Sequence, residues 1–262
     1  MRSRGGAFWS AALRGFFRAN VRACDAIESL LPRSFNRSLL ALHENRAAEE
    51  MNRRDGQIVV DIGGGHLCPF ARHRQAGRGT ILLALDILES QLRRNLVTDW
   101  RLAADACRTL PLADRSVDVI VTRSVLEHLR ENEPFVRECH RILRPGGRCV
   151  HVMPARYAPF AILNRLIPER IGQKLLFYFF PEWKEECGFH AYYANCYHPR
   201  IEELFSASGF HVQEVQFRFY QSIYYKFFVP FYLVSLGYDF AVWAIGARRL
   251  ACQILLIAEK RP

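Results

Sequence analysis

The chain has 262 residues, half of them hydrophobic, which is enough for one large domain or two small ones around a sizeable core. Its 36 basic and 26 acidic residues give a formal charge of +10. The basic residues are not interleaved with stacking aromatic residues in the way that single-stranded nucleic acids require, so we expect no nucleic-acid partner.

Eight cysteines are scattered along the chain, and no two of them are spaced as Cys-x-x-Cys. His66 and Cys68 could in principle share a metal, but no second pair stands at the spacing of metal ligands. We therefore expect free thiols in a reducing compartment, with neither a disulfide framework nor a metal site.

The first predicted element is an amphipathic helix over residues 8–31. Arg14, Arg18 and Arg22 recur every four residues on one stripe, and apolar residues occupy most of the other positions. The arginines also interrupt the apolar stretch before it reaches the length of a secretory signal. A basic helix with aromatic residues near its start suits a membrane surface, although packing on its own domain is an equally good interpretation. A second helix is predicted over about 36–54.

From residue 57 onward, short apolar runs alternate with helical stretches, which is typical of a parallel sheet covered by helices. The sequence therefore predicts N-terminal helices over 1–55 and an α/β domain over 56–262. Seven strands are predicted, over residues 57–61, 80–86, 101–105, 117–122, 148–154, 210–219 and 252–260.

Two segments depart from this alternation, at about 155–209 and 220–250. The first contains the apolar run KLLFYFFPEW, and in the second the only charge within 227–247 is Asp239. A proline and a glycine interrupt the second segment, which makes it marginal for a membrane-spanning helix of about 20 residues. A spanning helix would also keep the last strand from returning to the sheet. We therefore expect an interfacial or re-entrant segment, with a buried helical lid as the alternative.

The motif VVDIGGG combines an apolar strand, the acid Asp61 and the glycines at 63–65. Consecutive glycines lose much backbone entropy on folding, so they indicate a tight turn or a ligand that touches the backbone. Asp86 and Asp105 end the next two predicted strands. The carboxyl ends of parallel strands share one edge of the sheet, where such folds bind ligands. There, the second acid would meet a ribose diol, and the third could accept a hydrogen bond from an exocyclic amine such as that of adenine.

These patterns resemble the class I S-adenosylmethionine-dependent methyltransferases that act on small molecules. The resemblance is strong over residues 56–155 and weak over 200–260. It implies a Rossmann-like α/β fold, with a seven-stranded, mostly parallel sheet, helices on both faces and an antiparallel last strand. The segments that carry it are VVDIGGG, LALDILESQL, AADACRTLPLADRSVDVIVTRSVLEHL and ECHRILRPGGRCVHVMP.

The family resemblance implies S-adenosylmethionine as the cofactor, and it implies roles for residues at matching positions. By position, the methionyl part of the cofactor would contact Asp61, Gly63, Gly65, Thr122 and Arg123. The ribose would contact Asp86. The adenine would contact Ile87, Asp105 and Ala106. The family usually has acid-x-Gly-x-Gly-x-Gly at the turn, and this chain departs from that pattern because Leu67 stands at the third glycine.

The implied reaction transfers a methyl group from a sulfonium to a nucleophile, so alignment of the acceptor and exclusion of water are the protein's main tasks. A hydroxyl acceptor would also be helped by a base within reach of its proton. Two histidines are candidate catalytic residues. His128 follows the fourth strand at the carboxyl edge, where a helix-packing role is the alternative, and His190 lies in the first insertion beside two tyrosines.

Aromatic and basic residues recur in the first helix and in both insertions, and the insertions would lie on the acceptor side of the site. We therefore expect a cytoplasmic enzyme, peripheral on the inner face of the membrane, that methylates an oxygen of a small-molecule or lipid-linked amphiphile. A methyltransferase of a soluble metabolite and a noncatalytic methyltransferase-like scaffold are the alternatives. A nicotinamide dehydrogenase shares the glycine turn but gives no role to Asp105.

Overall fold

The computed structural model describes residues 4–167 and 189–261, with side chains from residue 13 onward. The run KLLFYFFPEW, residues 174–183, lies outside the described residues. The strands are β1 Ile58–Ile62, β2 Ile81–Asp86, β3 Trp100–Ala103, β4 Val117–Arg123, β5 Leu143–Pro154, β6 Phe210–Arg218 and β7 Gln253–Lys260. The described helices are α1 Arg4–Glu28, α2 Arg33–Asn36, α3 Leu39–Met51, α4 Glu89–Leu92, α5 Asn132–Ile142, α6 Pro159–Leu166, α7 Arg200–Ala207 and α8 Val229–Ala244.

The seven strands form one sheet in the order β3-β2-β1-β4-β5-β7-β6. β1 to β5 are parallel, and β7 lies antiparallel between β5 and β6. β1 is central, and four of its five residues are buried, as expected for a parallel strand covered on both faces. The predicted fold is therefore confirmed, including the antiparallel last strand.

Helices cover both faces of the sheet, but they do not all come from the predicted crossovers. α5 and α7 bury Phe135 and Phe205 against one face. On the other face, only a short 3₁₀ helix, Pro69–His73, follows β1, and four-residue α4 follows β2. α3 covers this face instead and buries Leu39 and Met51 there. The predicted alternation of strand and helix is thus incomplete, because a helix from before β1 fills the space.

Two strand boundaries differ from the prediction by more than one residue. β3 ends at Ala103, so Asp105 lies two residues beyond it. β5 begins at Leu143 rather than at 148, because the chain bulges over 144–147 before it pairs again. A side chain at Gly147 would come within 2.9 Å of the carbonyl oxygen of Arg144, which explains the glycine in the bulge.

The N-terminal helix and the second insertion pack against each other beside the sheet. Cys24 and Phe35 contact Tyr220 and Tyr232 in a separate apolar cluster. The apolar stretch of 220–250 forms a one-turn 3₁₀ helix, the 16-residue α8 and a second short 3₁₀ helix. Within 4–167 and 189–261, no helix combines the length and the hydropathy that crossing a bilayer requires.

Candidate active site

The glycine turn after β1 is held in a conformation that favours glycine. Gly63 and Gly65 have φ angles of +77° and +41°. A Cβ atom at Gly63 would lie 2.3 Å from Cγ2 of Val125, which belongs to the loop after β4. The turn therefore packs closely on that loop, and a side chain at this position would separate the two.

Asp86, at the end of β2, fixes the same turn from the neighbouring strand. One carboxylate oxygen accepts a hydrogen bond from the backbone N–H of Gly65 at 3.0 Å, and the other accepts from the N–H of Leu88 at 2.8 Å. Asn95 donates to the carbonyl oxygen of Gly65 at 3.0 Å. Each carboxylate oxygen keeps a further lone pair for a ligand hydroxyl. Ile87, 52% exposed beside it, offers an apolar surface of the kind that an adenine ring can pack on.

Asp61 lies behind the turn and is 4% exposed. Burial is the main cause that raises the pKa of its carboxyl to about 7, while a hydrogen bond from the Cys68 thiol lowers it. The negative charge of Asp86 raises this pKa further, and the positive charge of Arg123 opposes that effect. A positively charged ligand at the turn would stabilise the ionised form of this carboxylate.

The remaining cofactor candidates occupy different environments. Asp105 is half-buried and accepts a hydrogen bond from the N–H of Cys107 at 2.8 Å. Ala106 packs against the core. The hydroxyl of Thr122 is fully buried and shares a 2.7 Å hydrogen bond with Nδ1 of His151, so this side chain is engaged in the core. Exposed Arg123 follows it at the end of β4, with its charge near Asp61.

The two candidate bases lie together beyond β4. Nδ1 of His128 is 3.0 Å from the carbonyl oxygen of His190, which is within hydrogen-bond distance. Burial lowers the pKa of His128, so its imidazole is neutral at pH 7. The structure thus brings a residue of the first insertion against the loop after β4.

Glu127, next to His128, was missed by the sequence analysis. Its side chain is 4% exposed, and its Oε2 atom has no hydrogen-bond partner among the described residues. Burial raises the pKa of the carboxyl to about 8. The sequence did offer a signal for this residue. Glu127 directly follows the apolar residues Val125 and Leu126 in SVLEHL, where a buried position would be unusual for a glutamate.

The described residues fit S-adenosylmethionine at this edge. The glycine turn leaves room for a ligand close to the backbone, and Asp86 has free acceptor positions beside it. The buried acid Asp61 suits a cationic group, since a positive charge would favour its ionised form. The roles of the individual residues stay predictions.

Comparison with known proteins gives the class of this chain. Residues 60–151 match a family model described as a methyltransferase domain. Residues 60–151 therefore form a methyltransferase domain, in agreement with the resemblance to the class I S-adenosylmethionine-dependent methyltransferases found in the sequence.

Two curated relatives have named activities. The chain is 28% identical to the ubiquinone/menaquinone biosynthesis C-methyltransferase of Rubrivivax gelatinosus over 139 residues, which are 52% of this chain and 53% of the relative. It is 31% identical to the ubiquinone biosynthesis O-methyltransferase of Mesorhizobium japonicum over 120 residues, which are 44% of this chain and 47% of the relative. The chain thus spans about half the length of these relatives.

Among solved structures, a geranyl diphosphate methyltransferase in complex with S-adenosylmethionine superimposes with a TM-score of 0.54. The match covers 84% of each chain at 14% sequence identity. At this identity the comparison supports the fold alone.

Proposed function

We propose that this protein transfers a methyl group from S-adenosylmethionine to an oxygen of an amphiphilic acceptor at a membrane surface. The observation that carries the proposal is the cradle of the glycine turn and Asp86, with Asp61 behind it, at the carboxyl edge of the sheet. The cofactor supplies an electrophilic methyl group on a positively charged sulfur. The chain's own residues would orient it, align the acceptor and exclude water.

The acceptor side of the proposed site lies between the loop after β4 and the first insertion. The backbone N–H groups of Tyr192 and Tyr193 donate hydrogen bonds of 2.7 and 3.0 Å to the carbonyl oxygen of Glu127. These bonds join the insertion to the loop that packs on the glycine turn. An acceptor held between them would be close to the cofactor, and His128 and His190 would face its reacting oxygen.

An amphiphilic acceptor is supported by the relatives and by the surface of the protein. Ubiquinone biosynthesis stands in the names of both relatives, and ubiquinone precursors carry apolar isoprenoid chains. The name of the O-methyltransferase relative supports oxygen as the methylated atom, and the name of the C-methyltransferase relative makes carbon the alternative.

Apolar side chains of α1, of α8 and of the residue before α8 form what we call the apolar ridge, namely exposed Phe16, Phe231 and Val234 with half-buried Phe228 between them. Phe228 links the helices, since its ring centre lies 6.4 Å from that of Phe16 and 5.0 Å from that of Phe231. Phe231 and Val234 are 57% and 75% exposed. Contiguous exposed apolar surface of this kind marks an interaction site more often than scattered apolar residues do.

The partner proposed for this ridge is an anionic lipid surface, because the same helix is basic. Arg14, Arg18 and Arg22 are exposed, and none of them has an ion-pair partner within the part of the chain that the structure describes. Arginines attract anionic headgroups while aromatic rings enter the boundary between headgroups and acyl chains. This arrangement supports the proposal that the protein works peripherally on the inner face of the membrane, in the cytoplasm.

The activity is tested with S-adenosylmethionine carrying a tritiated methyl group. We expect the protein to label a component of a total lipid extract from its source organism but nothing in a soluble-metabolite extract. Labelling of the soluble extract alone would replace the amphiphile with a soluble metabolite. If neither extract is labelled although the cofactor binds, a noncatalytic scaffold becomes the better interpretation.

The membrane contact is tested by flotation with anionic liposomes. We expect the wild-type protein to float, and both the double variant Phe231→Asp/Val234→Asp and the triple variant Arg14→Glu/Arg18→Glu/Arg22→Glu to stay in the dense fraction. Leu96→Asp is the matched control, because Leu96 is 86% exposed at the opposite edge of the sheet. Equal flotation of the ridge variant and the wild type would contradict the proposal.

A further inference from the structure

The buried carboxyl of Glu127 lies in the loop that joins the two halves of the proposed site. The glutamate belongs to the 3₁₀ helix Leu126–His128, two residues after the Val125 that packs on Gly63. Its Oε2 atom has no partner among the described residues, although an unpartnered buried carboxyl oxygen costs free energy. A merely structural glutamate would be expected to use this atom.

The backbone around Glu127 is held in strained conformations from both sides. Ser124, which begins the loop and whose hydroxyl partly offsets the raised pKa of the Glu127 carboxyl, has a φ angle of +56°. Tyr193, whose N–H donates to the Glu127 carbonyl oxygen, has a φ angle of +53°. Left-handed conformations are uncommon for residues with side chains, and they cluster at functional sites. Both residues with this left-handed backbone contact Glu127.

The neighbouring histidine is oriented so that one nitrogen is available. When Nδ1 of His128 donates its proton to the carbonyl oxygen of His190, the Nε2 atom carries the free electron pair. This Nε2 atom lies 3.8 Å from Oε1 of Glu127, which is within ion-pair distance but too long for a direct hydrogen bond. The pair is therefore arranged so that the carboxylate can stabilise a proton on His128.

We propose that Glu127 and His128 form a proton-accepting pair for a hydroxyl acceptor, in which His128 takes the proton and Glu127 is the positioning residue that stabilises it. This inference rests on the proposed function. As the acceptor oxygen bonds to the methyl carbon, the carbon–sulfur bond breaks and its electron pair goes to the sulfur. The hydroxyl proton moves to Nε2 of His128, and the imidazolium forms beside the Glu127 carboxylate.

The charge around the pair determines how its activity changes with pH. The other titratable groups near Glu127 are Tyr193 and Cys196, both kept neutral because burial raises their pKa values. The guanidinium of Arg165 lies over the Tyr193 ring, and the positive charge of Arg156 partly offsets the raised pKa of Cys196. His190 also lowers the pKa of His128. Within the described residues, His128 is the sole basic side chain at ion-pair distance from Glu127, and it becomes cationic only when it takes up a proton.

His128 can be stabilised as a proton acceptor only when the carboxyl of Glu127 has lost its own proton. Because the pKa of Glu127 is about 8, we expect kcat/KM for methylation of the lipid extract to rise at least roughly tenfold between about pH 6.5 and 8.5. Glu127→Gln keeps the shape but cannot ionise. It should flatten this rise to less than about twofold and lower kcat at the upper pH by about tenfold or more, with unchanged cofactor affinity.

Glu131→Gln, an exposed glutamate four residues later, is the control and should keep the wild-type pH profile, including any contribution from the acceptor's own ionisation. A wild-type profile in Glu127→Gln would overturn the inference and leave the proposed function intact. Loss of cofactor binding in this variant, measured by calorimetry, would also overturn it, since Glu127 would then be structural. If the wild type labels no lipid at all, the proposed function fails and the inference with it.

Discussion

At the scale of single residues, the two acids nearest the glycine turn have different environments. Asp86 is partly exposed and holds the turn through its hydrogen bond from Gly65. Asp61 is buried, and its carboxyl is half-protonated near neutral pH. Asp86 is therefore suited to hydrogen-bond a neutral part of the ligand, and Asp61 to respond to a cationic part.

Replacement of Asp86 tests the cradle. Asp86→Ala removes the acceptor for a ribose hydroxyl and releases the N–H of Gly65, so we expect a loss of about 1.5–3 kcal/mol in S-adenosylmethionine affinity by calorimetry. Glu89→Ala is the control, because this exposed glutamate pairs only with Arg93 in the described structure. Equal affinities of Asp86→Ala and the wild type would remove Asp86 from the site.

The raised pKa of Asp61 makes cofactor binding depend on pH. Below about pH 7 the carboxyl holds a proton, and a cationic ligand favours the ionised form, so binding must release that proton. Affinity should therefore rise with pH, roughly five- to tenfold between about pH 6 and pH 7.5. Asp61→Asn should abolish this dependence. A slope that persists in the variant would assign the proton to another group.

At the scale of secondary-structure elements, α8 is joined to the domain by the one charge in its apolar sequence. Asp239 is fully buried and accepts hydrogen bonds from the backbone N–H groups of Gln221 and Ser222 at 2.8 and 2.9 Å. The Ser222 hydroxyl donates a further bond at 2.7 Å. This carboxylate connects the helix to the turn after β6 and leaves Phe231 and Val234 outside.

Substitution of Asp239 should therefore destabilise the protein. Asp239→Leu would leave two buried N–H groups without an acceptor, so we expect the free energy of unfolding to fall by about 2–5 kcal/mol in urea titrations. Val234→Asp on the exposed side of the same helix should change it by less than about 0.5 kcal/mol. Comparable effects of the two substitutions would show that α8 is not held through Asp239.

At the scale of the whole molecule, the cofactor site and the apolar ridge belong to different packing units. Two large apolar clusters cover the faces of the sheet, and the contact of α1 with α8 forms a third. α1 contributes Cys24 to this third cluster, whereas none of its described side chains, from residue 13 onward, belongs to the sheet clusters. Membrane contact and cofactor binding should therefore be separable.

Removal of residues 1–31 tests this separation. Because the cradle is built from β1, β2 and the loops after them, we expect S-adenosylmethionine affinity to stay within about twofold of the wild-type value, while flotation with anionic liposomes is lost. A large loss of affinity would mean that α1 supports the site. Circular dichroism provides the control that the shortened protein is folded.

Much of the fold and of the cofactor edge follows from local sequence patterns. The apolar runs at β1, β2 and β4 are buried on both faces, and this burial requires continuous hydrophobic sequence that can be read directly. The glycines at 63–65 likewise predict a tight turn, because positive φ angles and the close approach of the neighbouring loop exclude larger residues there. The antiparallel last strand came from the family resemblance.

The tertiary structure decided what depends on contacts between distant residues. The packing of α3 over one face of the sheet and the burial of Asp239 depend on partners far apart in the chain. The same holds for the burial of Glu127, whose Oε2 atom has no partner among the described residues. The hydroxyl of Thr122 turned out to bond His151, because side-chain direction depends on the neighbouring strand. The sequence by itself determined the strand pattern, through local backbone and burial constraints, and its motifs carried the family resemblance. Desolvation and hydrogen bonding between distant residues decided which acids are buried. Packing between distant elements decided which helix covers each face of the sheet.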